Sequence, residues 1–324
     1  MESQATSFEG WDEHFIRHKS FLLSFAFRML GSLSEAEDVV QDTFLACART
    51  SPASVENCKA WLTRICTNKG LNHLKLAYKR RELYPGTWLP DQIPERLQIW
   101  GQLQDDRSPE EEILLSESLT TTFLLLLETL TPHERVVYLL SEVFDYSFRE
   151  IASFLDKKET TCRKIAQRAR ESIASGQPRF GKPPPDADKT LRRFFSLAKN
   201  GEIQELTELF HSDSQLWGDG GGKAKAAGLV QGLERIANFY RSSTFSEMYR
   251  SDAYEIDFDR VNARPGIVIA TRSPTGAPSF NTILSFEFQG SRIARIYGQR
   301  NPDKLAVLTD LRNVAAPGSS KQRI

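Results

Sequence analysis

Three consecutive glycines run into a lysine in "DGGGK", residues 219–223. A glycine run closed by lysine is the chemistry of a phosphate cradle, in which backbone N–H groups and an ammonium surround an anion. A nucleotide loop of that kind needs GxxxxGK followed by Ser or Thr. Here Trp217 stands at the first glycine position, and Ala224 after the lysine offers no hydroxyl to magnesium. The segment is not an NTPase loop. Glycines do permit positive φ and the close approach of another backbone. Asp219 and Lys223 are then placed to fix such a neighbour by charged hydrogen bonds. An ordinary turn with solvated charges is the plainer reading.

Other reactive side chains are sparse. Asp257, Tyr254 and Asp219 are the available candidates for a catalytic base, and no two make a recognisable dyad. His14 and His18 lie four apart without the glutamate of HExxH. Cys47, Cys58, Cys66 and Cys162 form no CxxC pair and read as buried free thiols. No metal, cofactor or enzymatic activity is expected.

Cations are more informative. The chain holds 42 basic and 42 acidic residues, so net charge selects no partner. Their distribution does. From Lys59 to Arg81 there are seven Lys or Arg and no acid, interleaved with Trp61, Asn68, Asn72, His73 and Tyr78. Aromatics and amides among cations suit unstacked bases, although Trp61 lies on an apolar stripe and is expected in the core. A second cluster holds six basic residues and one acid between Lys157 and Arg170. Thr160, Thr161, Arg163, Lys164, Gln167, Arg168 and Arg170 fall off the stripe formed by Cys162, Ile165, Ala166, Ala169 and Ile173. A helix of this kind can enter a major groove; a solvated charged face is the alternative.

The elements that must carry these residues follow from periodicity. "SLSEAEDVVQDTFLACAR", with Ser34 as N-cap, and "NCKAWLTRICTNKGLNHLK" read as helices. "SFREIASFLDKKETTCRKIAQRARESI" reads as a helix-turn-helix. Beyond three successive prolines the period changes to two: "AYEIDFDRV", "GIVIATRS", "TILSFEFQG" and "RIARIYGQR" read as strands, preceded by helical stretches at 191–210 and 232–240. The expected fold is multidomain, with two all-α domains followed by an α+β domain. Domains are expected at 8–82, 108–175 and 186–308, with linkers at 83–107 and 176–185 and a tail at 309–324. The N-terminus has no signal-peptide pattern and no apolar run is long enough to span a bilayer, so a soluble cytoplasmic chain without membrane contact is expected.

"GSLSEAEDVVQDTFLACAR", "AWLTRICTNKGLNHLK", "LTPHERVVYLLSEVFDYSFREIASFL" and "RKIAQRAR", in this order, resemble a bacterial sigma-70-type factor of the extracytoplasmic function class. The resemblance implies that Asp38, Gln41 and Asp42 dock on the clamp of the β′ subunit of core RNA polymerase. It implies that the stretch containing Asn57, Lys59, Arg64, Asn68, Lys69, Asn72 and Lys75 melts and reads the −10 promoter element. The helix 159–171, with the seven residues from Thr160 to Arg170 named above, would read the −35 element.

The third domain resembles the SnoaL-like, cone-shaped α+β fold related to nuclear transport factor two. A subset of these sigma factors carries such an extension with WLPEP-type, DGGGK and NPDKL motifs. Here the first is "WLPDQIP", keeping Trp88, Leu89 and Pro90. The second is Asp219, Gly220, Gly221, Gly222 and Lys223; the third is Asn301, Pro302, Asp303, Lys304 and Leu305. The resemblance implies that the extension sets the spacing of the two DNA-binding domains and that its NPDKL tail modulates activity; the linker at Trp88–Pro90 is expected to pack against the third domain near the other two motifs. Two readings compete: a ligand-binding or isomerase-like domain fused to a DNA-binding module, and a dimeric repressor, which leaves the first domain unexplained.

Overall fold

A computed structural model describes residues 10–47, 50–100, 109–176, 182–242, 254–272 and 278–315. The chain divides into two compact units. One comprises residues 1–83 and 99–177; the other comprises 84–98 and 178–324.

The first unit is helical: α1 (Trp11–Leu30), α2 (Leu33–Cys47), α3 (Cys58–Glu82), α4 (Pro109–Glu117), α5 (Thr121–Leu127), α6 (Pro132–Tyr138), α7 (Phe148–Leu155) and α8 (Glu159–Gly176). Local chemistry sets the boundaries. Asn57 caps α3 by accepting from the Ala60 N–H at 3.0 Å. Thr131–Glu134 and Ser147–Glu150 are reciprocal capping boxes that open α6 and α7. Helix α2 starts at Leu33, so Ser34 sits in its first turn rather than capping it. Asp156 closes α7 in the left-handed region and turns the chain into α8.

The two expected helical domains pack as one. Phe144 meets Phe21 and Phe25 edge-on, with ring centroids 5.3 and 5.4 Å apart. Arg135, 1 % exposed, reaches from α6 to the Met29 carbonyl at 2.8 Å and the Glu128 carboxylate at 2.8 Å. Arg28 crosses the other way, to Ser118 Oγ and the Leu115 carbonyl. Apolar burial and these buried cations join residues that a reading of separate domains leaves apart.

The second unit holds α9 (Ala187–Asn200), α10 (Ile203–Glu208), β1 (Phe210–Asp219), β2 (Gly228–Gln231), α11 (Leu233–Arg241), β3 (Tyr254–Val261), β4 (Arg264–Arg272), β5 (Pro278–Gln289), β6 (Arg292–Gln299) and α12 (Pro302–Ala315). The sheet order is β2-β1-β6-β5-β4-β3. Every pairing is antiparallel except β1 with β6. Leu216, Leu284, Phe286 and Ile296 face Leu191, Phe194 and Tyr240 in one core. The alternate residues Asp219 and Ser285 face the opposite side of the sheet.

That opposite side is covered by residues 84–98, expected as part of a linker. Here the segment is a strap belonging to the second unit. Backbone groups of Ile93 and Asn262 pair at 3.1 Å, and Pro94 bridges Val261. The unit also extends past Leu308, because α12 continues to Ala315.

Candidate nucleic-acid interface and motif cluster

The polymerase-docking candidates share one face of α2. Asp38 and Gln41 are exposed, Asp42 is half-buried, and Leu45, 53 % exposed, continues the row at helical spacing. Ile16 of α1 is also exposed. The row mixes carboxylates, an amide and an uncovered apolar side chain.

On α3 the expected residues separate. Arg64, Asn72 and Lys75 are exposed. Trp61, Arg64, Ile65, Asn68, Lys69 and Asn72 line an open cleft of about 330 Å³. Trp61 is half-buried and stacks on Trp11 with centroids 4.7 Å apart, so it joins the packing and the cleft wall at once. Other candidates already have internal work. Asn57 is the helix cap. Lys59 lies over the Phe21 ring at 4.8 Å, and Lys69 reaches Asp42 at 3.4 Å. Asn68 donates to the Phe154 carbonyl of α7 at 3.2 Å, and Thr63 shares a hydrogen bond with the Tyr146 hydroxyl at 2.9 Å. The α3 surface is thus partly occupied by the helix-turn-helix.

Helix α8 keeps all seven candidates exposed: Thr160, Thr161, Arg163, Lys164, Gln167, Arg168 and Arg170. Cys162, Ala166, Ala169 and Ile173 are buried beneath them. Arg163 pairs with Glu159 at 2.5 Å and Arg170 with Glu142 at 2.9 Å. Such exposed pairs are worth about 0–1 kcal/mol and yield readily to a phosphate.

The thiols behave as expected of buried groups, with one exception in placement. Burial pushes the Cys66 thiol up to about 12 and the Cys47 thiol up to about 11. Cys58, at the start of α3, is only half-buried.

In the second unit the three short motifs converge on Asp219, which is fully buried. Its carboxylate accepts from the Tyr84 hydroxyl at 2.6 Å, the Leu89 N–H at 3.2 Å, the Gly221 N–H at 3.0 Å and the Lys304 ammonium at 2.9 Å. Lys304 also donates to the Leu89 carbonyl and stands over the Trp88 ring at 4.8 Å. Pro90 is buried beside Leu89. Asn301 donates to the Tyr84 hydroxyl at 2.7 Å. Lys223 pairs with Asp303 at the surface, at 2.6 Å. Burial and the adjacent Asp219 charge drive the Tyr84 phenol well above its ordinary range.

The glycines explain themselves here. Gly221 and Gly222 have φ of +61° and +70°. A Cβ on Gly221 would lie 2.5 Å from the Asn301 side chain, and one on Gly222 would lie 2.7 Å from Pro85. Gly220 would meet the Ala224 carbonyl. The run lets a strap and a helix press against one loop.

Several members carried no signal in the sequence. Tyr84 bridges two motifs. Gln92, fully buried, accepts from Ser285 Oγ at 2.6 Å. The Asn262 side chain accepts from the Ile93 N–H and donates to the Asp91 carbonyl. Arg96 clamps Asp259 and Asp257 at 2.7 and 2.6 Å. Of the three candidate bases, Asp219 is held under the strap and Asp257 is paired with Arg96. A cavity of about 290 Å³ lies beside the sheet, and Tyr254, Asp257 and Asp219 are not among its described lining residues.

No described helix is long and apolar enough to cross a membrane. Residues 14–80 match the family Sigma-70 region 2, and residues 121–173 match Sigma-70, region 4. The chain is 31 % identical over 240 residues to the ECF RNA polymerase sigma factor SigJ of Mycobacterium tuberculosis, covering 73 % of this chain and 72 % of that protein. It is 29 % identical over 195 residues to a probable ECF RNA polymerase sigma factor SigI of the same organism, covering 59 % of this chain and 64 % of the relative. The crystal structure of SigJ shares the fold with a TM-score of 0.64 at 23 % identity, over 91 % of this chain and 98 % of that one.

Proposed function

The chain belongs to the extracytoplasmic function RNA polymerase sigma factors, and we propose that α2, α3 and α8 divide the work of promoter recognition between them. As a sigma factor it directs bacterial RNA polymerase to specific promoters. The Asp38–Gln41–Asp42 row of α2, extended by exposed Leu45, docks on the clamp of the β′ subunit. The cleft on α3, lined by Arg64, Asn68 and Asn72 with exposed Lys75 further along the helix, takes the melted −10 strand. Bases there stack on aromatic surface at about 1–3 kcal/mol each. Helix α8 enters the major groove of the −35 element. The observation that carries this reading is the exposure of all seven polar and basic residues of α8 above a fully apolar stripe.

The second unit, a SnoaL-like domain, modulates this activity through the Asp219–Tyr84–Lys304 cluster. The cluster fixes a strap that continues the chain from α3, so its state sets how freely α3 and the following helices separate. The cavity beside the sheet favours a second role for the domain, that of holding a small-molecule ligand.

Run-off transcription with purified bacterial core polymerase tests the first reading, on templates selected by the full chain. Transcripts that require the chain, and that fail with Arg168→Ala combined with Lys164→Ala, are expected. Transcription indifferent to α8 would overturn its assignment.

A further inference from the structure

The cavity of the second unit is formed between β1, β5, β6, α11 and the loop after the glycines. Its walls are mostly apolar, with Leu216, Trp217, Phe239, Tyr240 and Leu284, and Ser242 and Thr282 add hydroxyls. Lys225 and Arg300 are its cations, and no carboxylate stands among its described lining residues. Arg300 as a residue is half-buried. One of its nitrogens, Nη1, donates to the Lys225 carbonyl at 2.7 Å, while Nε is buried without a hydrogen-bond partner. A buried guanidinium N–H without an acceptor is costly, and an anion entering the cavity is one acceptor that would satisfy it. Backbone contacts hold the group in place: the Arg300 N–H donates to the Asp219 carbonyl at 2.8 Å.

We propose that this cavity binds a small amphipathic carboxylate, its apolar body against Leu216, Phe239 and Leu284 and its anionic head on Arg300 with Lys225 alongside. At about 30 Å³ of liquid volume per water, 290 Å³ matches roughly ten waters, so the ligand has on the order of ten non-hydrogen atoms. A medium-chain fatty acid or an arylalkanoic acid meets both requirements. The proposal rests on the reading that the cavity is a ligand site and adds the ligand's charge and size.

Octanoate, octanamide and octylamine are the probes, titrated into the full-length chain by calorimetry. Octanoate is expected to bind at least about tenfold more tightly than octanamide, since hydrogen bonds to a charged group are the stronger kind. Octylamine is expected not to bind. Arg300→Gln should remove the preference of acid over amide, and Ala226→Trp at the mouth should abolish binding of both. Equal binding of acid and amide to the unaltered chain would overturn the anion assignment while leaving a ligand site. Binding of none of the three would overturn both. The comparison among probes needs no variant, so a folding defect in Arg300→Gln does not disarm the test.

Discussion

Tyr84 donates its hydroxyl to Asp219 at 2.6 Å across 135 residues of chain, and Asn301 donates to that same phenol oxygen at 2.7 Å. One hydroxyl thereby ties the strap, the glycine loop and the start of α12. The carboxylate it serves is wholly buried and neutralises Lys304, whose side chain is 12 % exposed. Asp219→Ala leaves that ammonium without its nearest carboxylate, with Asp91 at 3.6 Å as the remaining one. The expected cost to the second unit is about 3 kcal/mol. Urea denaturation measures it, and limited proteolysis should show new cleavage within 84–98. A variant as stable as the parent with an uncut strap would refute the clamp.

The glycine run separates two costs. Gly221 and Gly86 both have positive φ, +61° and +87°, but only Gly221 is crowded, by Asn301. Gly86→Ala carries the left-handed penalty alone, about 1 kcal/mol. Gly221→Ala must also displace the Asn301 side chain and should cost distinctly more, about 2–3 kcal/mol. Thermal midpoints of the two variants provide the comparison, and equal shifts would show that close approach is not what the run supplies.

The strap shows what local patterns carry and what they do not. Strands β3 to β6 were readable because period-two alternation is a property of each segment alone. The motif residues Asp219, Lys304 and Asn301 were readable as a set only through the family resemblance. Residues 84–98 have no period and three prolines, and they read as linker. Their order comes from Asn262, Ser285 and Asp259, which lie more than 160 residues away. Asp91 and Gln92, where the chain departs from the motif, are nonetheless buried. Packing of the helix-turn-helix on α3 is equally hidden: Asn68 reads as a base-contacting amide, and nothing near it in sequence announces the Phe154 carbonyl.

Acid should weaken the helical unit through Glu128. Burial raises its pKa, but Arg135 and Arg81 outweigh that and hold the carboxyl below its ordinary value. A depressed folded pKa contributes stability that is fully present above the unfolded value, about 4.3, and is lost as pH falls through the folded one. The urea midpoint of the unit should therefore drop below about pH 4. Glu128→Gln should lower the midpoint at pH 7 and flatten the acid limb. An unchanged acid limb would assign the loss to other carboxylates.

On the proposed assignment of α3 to the −10 element and α8 to the −35 element, promoter binding requires the helical unit to open. Elements at −10 and −35 are about 25 base pairs apart, or about 85 Å at 3.4 Å per pair. A compact body of about 150 residues has a radius of gyration of only about 15 Å. In the chain by itself, Asn68 of α3 and Phe154 of α7 are hydrogen-bonded at 3.2 Å, so α3 and α8 cannot occupy both elements in this arrangement. Spin labels at Leu76→Cys and Ser153→Cys, both exposed positions, report the separation by pulsed dipolar spectroscopy. Cys58→Ser serves as the background, because Cys47, Cys66 and Cys162 are buried with raised thiol pKa values and resist labelling. The free chain should give one short distance, and the complex with core polymerase and promoter should lengthen it by tens of ångströms. A short distance that persists in a transcribing complex would mean that α3 and α8 do not read the two elements together.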